Sequence, residues 1–517
     1  MNDRPMNDRW GIESATKTSS NGRVDRQPTL VAIDLGAESC RVSLLQWTDG
    51  KPVIRMVHRF PNSPVPDGDS LHWDLQKICD GVDEGLRKCA ELAPDGIAAI
   101  GVDGWAVDYV RLDADRLPTG DPFCYRDRRT IEAQAEVHAR ISPDRLYTLT
   151  GIQILSLNTL YQLFSDSAAG VDQSLPWINL PEYILYRLGG KRVSEYTNAT
   201  HSQLIDVNNR TWCAEIFDAT GLDINAAPPL VAPGTVIGQV VGPLALLPGF
   251  RYTKLIAPAC HDTASAIAGI PADGDDWAFI SSGTWSLVGT VLDAAQVSDA
   301  ARSKNFSNEG GVGSKTYFLK NVSGMWLLQQ CIEQWRSQGR EWTIEQLVEE
   351  CSSLPCPECL FDISDPDLLS PGDMPARINA QLARDGRVRV AEDPESAPAF
   401  ASLILYSLAK RYAEVLQDLA EVTGKALKRL FIVGGGSRNK LLNRLTAEST
   451  GLEVFTGSNE SATVGNFAIQ LAALSEKCGP ENGVDASAVA RYAKLFTQEE
   501  IKTATAHLDT ETAALFK

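Results

Sequence analysis

The sequence contains no unbroken run of about 18 apolar residues, so none of its helices is expected to cross a bilayer. It has no excess of positive charge: 48 Lys and Arg against 66 Asp and Glu give a net charge of −18. Nucleic-acid binding needs clustered cations, which argues against that class of partner. The same charge repels a free nucleotide at long range. Any anion site must therefore be built locally, from backbone N–H groups, a metal ion or a few Arg and Lys. No G-x-x-x-x-G-K-[ST] occurs, which excludes a P-loop. Gly434-Gly435-Gly436 is not G-x-G-x-x-G and sits far from the N-terminus, which argues against a dinucleotide-binding fold. The 11 cysteines are scattered and odd in number, which suits a reducing, cytoplasmic setting better than a disulfide framework. Cys351, Cys356 and Cys359 have the spacing that opens a plant-type iron–sulfur site, but the fourth ligand would have to be Cys478 and nothing else supports a cluster. Thiols in a Pro-interrupted loop are the simpler reading. Residues 1–28 are polar and lack an apolar core segment, so a disordered extension is expected there and not a signal peptide.

What is present begins with length. At 517 residues the chain is too long for one ordinary core, so two large domains are expected. Thr29–Leu35 is an apolar strand that ends in Asp34-Leu35-Gly36, and Arg41–Leu45 resumes an apolar run: a hairpin with a Gly-bearing turn. Leu430–Val433 is a second apolar strand, and it runs into three glycines and a helical segment from Asn439. Glycines there let a backbone approach a ligand closely. The hairpin suits a metal-bound triphosphate, the glycine loop the flat and sugar portions of a nucleotide. Trp277–Ser281 and Trp285–Val291, joined by Ser282-Gly283-Thr284, repeat the hairpin-first pattern in the second half, as a duplicated nucleotide-binding fold would. Helices are expected over 131–140, 158–165, 325–338, 343–351 and 397–423. The acidic span 355–375 reads as surface loop, and the last thirty residues as peripheral helix.

Several residues could carry chemistry, and each has a plainer explanation beside it. Asp34 ends a strand before Gly36. That suits a Mg2+ contact, because Mg2+ takes one or two carboxylates plus phosphate and water, but it also suits a turn. Asp262 stands at a strand-to-helix junction, where it could take a proton from an attacking hydroxyl or simply cap the helix. Ser281–Thr284 offers hydroxyls and donors in one turn, as a γ-phosphate needs, yet could be only a turn. Asp103, Trp105, Asp108 and Tyr109 mix carboxylates with aromatic rings, as sugar sites do, or mark a strand edge with Trp105 in the core. His72-Trp73-Asp74 is a weaker cluster of the same kind.

Read in order, these segments resemble the FGGY carbohydrate kinases over about 29–475. The likeness rests on Val31–Ser39, Gly104–Tyr109, Tyr125-Arg126-Asp127, Asn158–Leu163, Glu195–Thr200, His261–Ala266, Ser281–Leu287, Asn308–Gly311, Leu319-Lys320-Asn321 and Ile432–Gly436. The resemblance implies an α/β fold of two actin-like (ribonuclease-H-like) domains with a nucleotide and sugar cleft between them. It places the first domain, with the sugar site and phosphate hairpin, at 29–270 and the ATP-binding domain at 271–480, leaving 481–517 as a peripheral helical segment. It implies Asp262 as general base. Ala106, Asp108, His261, Thr263 and Asn321 are expected at the sugar, and Asp34 at Mg2+. Ala37, Glu38, Ser39, Cys40, Arg41, Thr284, Gln329 and Gly435 are expected at ATP. The implied reaction moves the γ-phosphoryl of ATP to O1 of a ketose, with L-rhamnulose first and L-fuculose or L-xylulose as alternatives. The partners are then a sugar and ATP, with no nucleic acid or membrane.

Two departures matter. The family usually has Gly where this chain has Ala106, and a methyl there could shift sugar preference by about 1–3 kcal/mol. Cys40 also replaces a usual Gly, and its β-carbon requires negative φ or strain. A non-metabolic actin-like ATPase and a sugar-binding regulator are the competing classes. The first has no need of the polar groups at Asp103–Tyr109 and His261–Thr263; the second has no need of Asp34, Asp262 and Thr284 together.

Overall fold

Leu30–Leu35 is buried along its whole length, as a continuous apolar run in the middle of a sheet should be. It pairs antiparallel with Ser39–Thr48 and parallel with Ala99–Gly104. The six-stranded sheet runs in the order Thr235–Gln239, Lys254–Ala257, Ala99–Gly104, Leu30–Leu35, Ser39–Thr48, Lys51–Pro61. The second half repeats the plan. Trp277–Ser282 pairs antiparallel with Trp285–Leu292 and parallel with Arg429–Val433, inside a seven-stranded sheet. This computed structural model describes residues 27–369, 371–458, 460–475, 483–496 and 501–503. The disorder expected over 1–28 therefore lies almost wholly outside the described residues.

The two sheets share one apolar seam. Leu30 and Ala32 from the first, and Phe279 and Phe431 from the second, close on Phe467 and Ile469 of helix Ser461–Ser475. That helix is buried on nearly every side, so its polar residues must bond inside the protein. Asn466 donates to Asp103 at 2.5 Å, and Gln470 donates to the carbonyl of Val31 at 2.9 Å. The helix also lies hard against helix Asp262–Ala268.

Most expected elements are present, the 397–423 helix with the same bounds. Three differ. The sequence reads as a strand over 98–102, a turn at Asp103-Gly104 and a second strand over 105–112; instead Asp103 and Gly104 stay in strand Ala99–Gly104, and the strand after them is only Tyr109–Arg111, which pairs with Trp177–Asn179. The span 355–375 is mostly loop, with a helical turn at Pro366–Leu368 and the start of helix Met374–Arg384, but Leu360, Phe361, Ile363 and Leu368 bury their side chains in the second core, so it is anchored rather than superficial. Helix Ala486–Ala493 is not peripheral: Val484, Ala488 and Val489 are buried in the shared seam, and Ile501–Thr503 adds an edge strand to the second sheet. Amphipathic pattern alone does not say which apolar face finds a partner.

Gly465 makes the helix contact possible. A β-carbon there would lie 1.7 Å from the carbonyl oxygen of Ser265, and backbone cannot swing aside as a side chain can. Gly465→Ala is expected to cost about 3 kcal/mol or more, seen as a lower urea midpoint. It should also displace the Asp262 helix and lower activity.

Candidate functional site

The parallel register lines up three strand ends. Asp34 stands beside Asp103, and Gly104 bridges to His261, one residue before Asp262. Three carboxylates are thereby crowded together, Asp34 and Asp262 lining the cleft and Asp103 buried behind them. Burial raises the pKa of Asp34 against the pull of Arg41, whose guanidinium donates to it at 2.8 Å. Burial, then the charge of Asp34, pushes Asp103 well above the usual carboxylate range. Burial, with Asp34 again second, lifts Asp262 to about 6. Asp262 occupies the first turn of helix Asp262–Ala268, and the capping position before it belongs to His261, whose side chain makes no capping bond. The plainer explanation of Asp262 as the helix cap therefore fails.

A cavity of about 980 Å³ opens at this point, lined from both halves of the chain. Ala37, Glu38, Ser39 and Arg41 reach it from the first hairpin, with Asp34 beneath them. Thr284 enters from the second hairpin, Gln329 from helix Trp326–Ser337 and Gly435 from the glycine loop. Ala106, His261, Asp262, Thr263 and Asn321 form the other end.

Two expected residues do not reach it. Cys40 is fully buried among apolar side chains, with burial driving its thiol up to about 12, so at most its backbone serves the turn. Its φ is not positive, and the strain considered for it is absent. Asp108 is also fully buried. It accepts from the indoles of Trp73 and Trp105 at 2.6 and 2.9 Å, from Gln162 at 3.0 Å and from the backbone N–H of Tyr125 at 3.2 Å. Its capacity is spent holding the wall that carries Trp105. Asp103 and Tyr109 likewise face inward, to Asn466 and Asp166. Trp73 is core, and Asp74 caps helix Leu75–Leu92. Cys351 is buried, Cys356 and Cys359 are half-buried, and Cys478 lies outside the described residues.

The structure adds residues and contacts that the sequence did not single out. Arg59 lines the cavity and donates to Ser39 at 3.0 Å. Asn62 clamps the phosphate-hairpin turn, donating to the carbonyl of Gly36 at 3.1 Å. Val107 has φ +72, a costly conformation for a β-branched residue, and is held there by Thr159, which donates to its carbonyl at 2.7 Å. Gln153 accepts from the backbone and side chain of Asn321 at 2.8 and 3.1 Å, fixing that residue from the opposite half. Thr284 donates to Glu38 at 3.0 Å, joining the two hairpin turns. Arg126 crosses the cleft to stack on Trp326 at 3.7 Å and donates to the carbonyl of Leu369. None of these partners is close in sequence, so no local pattern announces them.

The cavity fits a nucleotide on structural grounds. Gly434 has φ +83, and a β-carbon at Gly436 would come within 2.0 Å of the Ser282 hydroxyl, so the loop must be glycine to lie against the second hairpin. Gly435 faces open space. The side-chain oxygen of Gln329 is buried without a hydrogen-bond partner, as a site for an amino group would be. The clustered carboxylates Asp34 and Asp262 fit a hard divalent cation.

Two sheets built to one plan, closing on a cavity with a Gly-turn hairpin on one wall and a glycine loop on the other, define a two-domain, actin-like phosphotransferase. The chain belongs to the FGGY family of carbohydrate kinases: the model of that family's N-terminal domain matches residues 29–269 and that of its C-terminal domain residues 278–474. It is an ATP-dependent carbohydrate kinase. Its relatives include the rhamnulokinase of Enterococcus faecalis, 36% identical over 455 residues, which is 87% of this chain and 90% of that protein. The rhamnulokinase of Bacillus subtilis is 34% identical over 448 residues, 86% of this chain and 90% of that protein. The solved xylulose kinase of Lactobacillus acidophilus shares the fold, with a TM-score of 0.72 over 95% of both chains at 17% identity.

The bonding of Asp108 generates a test. In Asp108→Asn, the amide NH2 would face groups that are themselves donors. A loss of about 3–5 kcal/mol is expected in urea unfolding. Unchanged stability with a raised sugar KM would return Asp108 to the sugar site.

Proposed function

We propose that the protein phosphorylates L-rhamnulose at O1, using ATP and giving L-rhamnulose 1-phosphate and ADP. The observation that carries this is the likeness to rhamnulokinases along nearly the whole chain, 36% identity over 455 residues in one case. The site chemistry supports it. Asp262 faces the cavity with its pKa lifted to about 6, which leaves it ionised at neutral pH yet easily protonated, as a general base should be. Thr263 donates to it at 3.2 Å and the Nε2 of His261 lies 3.5 Å away, so its carboxylate is oriented from two sides.

In this reading Ala106, His261, Thr263 and Asn321 hold the ketose with its primary hydroxyl at Asp262. Ala37, Glu38, Ser39, Arg41, Thr284, Gln329 and Gly435 hold ATP, and Asp34 would hold Mg2+. ATP and Mg2+ supply the transferable phosphoryl group and neutralise its charge. The protein's part is positioning and electrostatics. Asp262 removes the hydroxyl proton, while Arg41 and Arg59 keep positive charge fixed beside the hairpin. The contacts of Thr284 with Glu38, Arg126 with Trp326 and Asn321 with Gln153 hold the two walls together, which excludes water that would otherwise accept the phosphoryl group. The eight buried cysteines among the described residues are all free thiols, which supports a cytoplasmic setting.

ADP release measured with L-rhamnulose, L-fuculose, L-xylulose, L-ribulose and glycerol tests the substrate. The highest kcat/KM is expected for L-rhamnulose. A different leading sugar would assign the preference to the pocket around Ala106, and hydrolysis independent of any sugar would contradict a kinase of ketoses. Asp262→Asn should lower kcat at least about 100-fold. Its folding should be preserved or improved, because a buried charge is removed. For the native enzyme, the base is active when ionised, so kcat/KM should fall about tenfold per pH unit as pH drops below about 6. An acid limb near pH 4 would show that Asp262 titrates like an exposed carboxylate.

A further inference from the structure

At one end of the cavity, side chains from three separate parts of the chain bring two ring nitrogens and a carboxylate oxygen close together. His201 belongs to the turn Thr200–Ser202, His261 precedes helix Asp262–Ala268, and Glu309 comes from strand Ser307–Gly310 of the second half. His201 Nε2 lies 2.9 Å from His261 Nδ1 and 3.1 Å from a carboxylate oxygen of Glu309, and that oxygen lies 3.9 Å from His261 Nδ1. All three residues are buried. Both carboxylate oxygens of Glu309 lack a hydrogen-bond partner, although its side chain is only 1% exposed. Among the described residues, no other group of His, Cys, Asp and Glu converges in this way.

Hydrogen bonding does not satisfy the trio. A ring nitrogen carries one proton or one lone pair. If His261 Nδ1–H donates to His201 Nε2, Glu309 receives nothing. If His201 Nε2–H donates to Glu309, the lone pair of His261 faces the same proton and goes unpaired. An unpaired buried carboxylate is costly, and a cation accepting all three electron pairs removes the conflict. Ligands held about 2.1 Å from one metal lie roughly 3.0–3.4 Å apart in octahedral or tetrahedral geometry. The separations of 2.9 and 3.1 Å are close to that range, and the third, 3.9 Å between Glu309 and His261, must shorten as an ion enters.

We propose that His201, His261 and Glu309 form a binding site for one divalent transition-metal ion of the zinc class, distinct from the cation that accompanies ATP at Asp34. Two imidazoles and one carboxylate select Zn2+, Co2+, Ni2+ or Fe2+ over Mg2+ or Ca2+. His201 and His261 line the cavity, so the remaining coordination positions open towards it. Metal on Nδ1 of His261 leaves the proton on Nε2, the atom that faces Asp262 at 3.5 Å. Because Glu309 comes from the second half, the ion would also bind the two halves together. The backbone N–H of Gly310 already donates to Thr200 there, at 3.0 Å.

The test uses the full-length protein, stripped with a chelator and titrated with CoCl2 in the absence of nucleotide and sugar. One equivalent is expected to bind, with the visible d–d absorption of a site of low coordination number containing nitrogen. Zn2+ should abolish that absorption at one equivalent. Glu309→Gln and His201→Asn should each weaken Co2+ binding by about 100-fold or more. X-ray absorption at the zinc edge of the wild-type protein should count two imidazoles, so the outcome does not depend on either variant folding. No stoichiometric Co2+ band, a zinc shell without imidazole, or folded variants that bind like wild type would each overturn the site. In those cases the two rings form a hydrogen-bonded pair and nothing more.

Discussion

The burial of three neighbouring carboxylates is the constraint on which the cleft depends. Asp34 and Asp103 stand at matched positions on neighbouring parallel strands, and Asp262 follows the bridge from Gly104 to His261. Each would be better solvated in water, and each has its pKa raised by burial. The fold tolerates the crowding because specific groups answer it: Arg41 at Asp34, Asn466 at Asp103 and Thr263 at Asp262. Those partners come from a hairpin strand, from the buried helix Ser461–Ser475 and from the carboxylate's own helix. The site therefore needs both halves of the chain to be folded and joined.

The duplicated plan explains why the active cleft lies where it does. In each half a central strand has an antiparallel hairpin partner on one side and a parallel strand on the other. The hairpin turns then face each other across the gap, where Thr284 reaches Glu38. One helix, Ser461–Ser475, fills the seam between the sheets, and its Gly465 lets it press against the Asp262 helix. Energy invested in that apolar seam fixes the position of a carboxylate at its end. The proposed role of Asp262 as a base gains from such rigid support.

Much of this was legible locally. The Leu30–Thr48 hairpin, the Ser282-Gly283-Thr284 turn, the glycine loop and the junction at Asp262 are each continuous segments with periodic apolar residues around a turn or cap. Such features follow from backbone rules that act over a few residues. What was misread depended on packing. Asp108 shares a segment with Trp105, yet one side chain lines the cavity and the other is enclosed by Trp73, Gln162 and Tyr125. Cys40 sits in the phosphate hairpin, but strand alternation turns its thiol into the core. Helix Ala486–Ala493 is buried in the shared seam because its apolar face meets a surface that no local pattern reveals.

By itself the sequence determined that this is a two-domain α/β protein, where its hairpins and glycine loop lie, and which carboxylates stand at strand ends. Those properties come from short-range sterics and hydrophobic periodicity. Only the tertiary structure decided which of those carboxylates see the cavity and which serve as internal ligands to the wall. It also placed Gln153 against Asn321, Arg126 over Trp326 and Glu309 beside two histidines. Gln153 and Asn321 are 168 residues apart in the chain, and Glu309, from the second half, meets two histidines of the first. Their meeting depends on how two sheets dock through a shared apolar seam, and no local pattern encodes that docking.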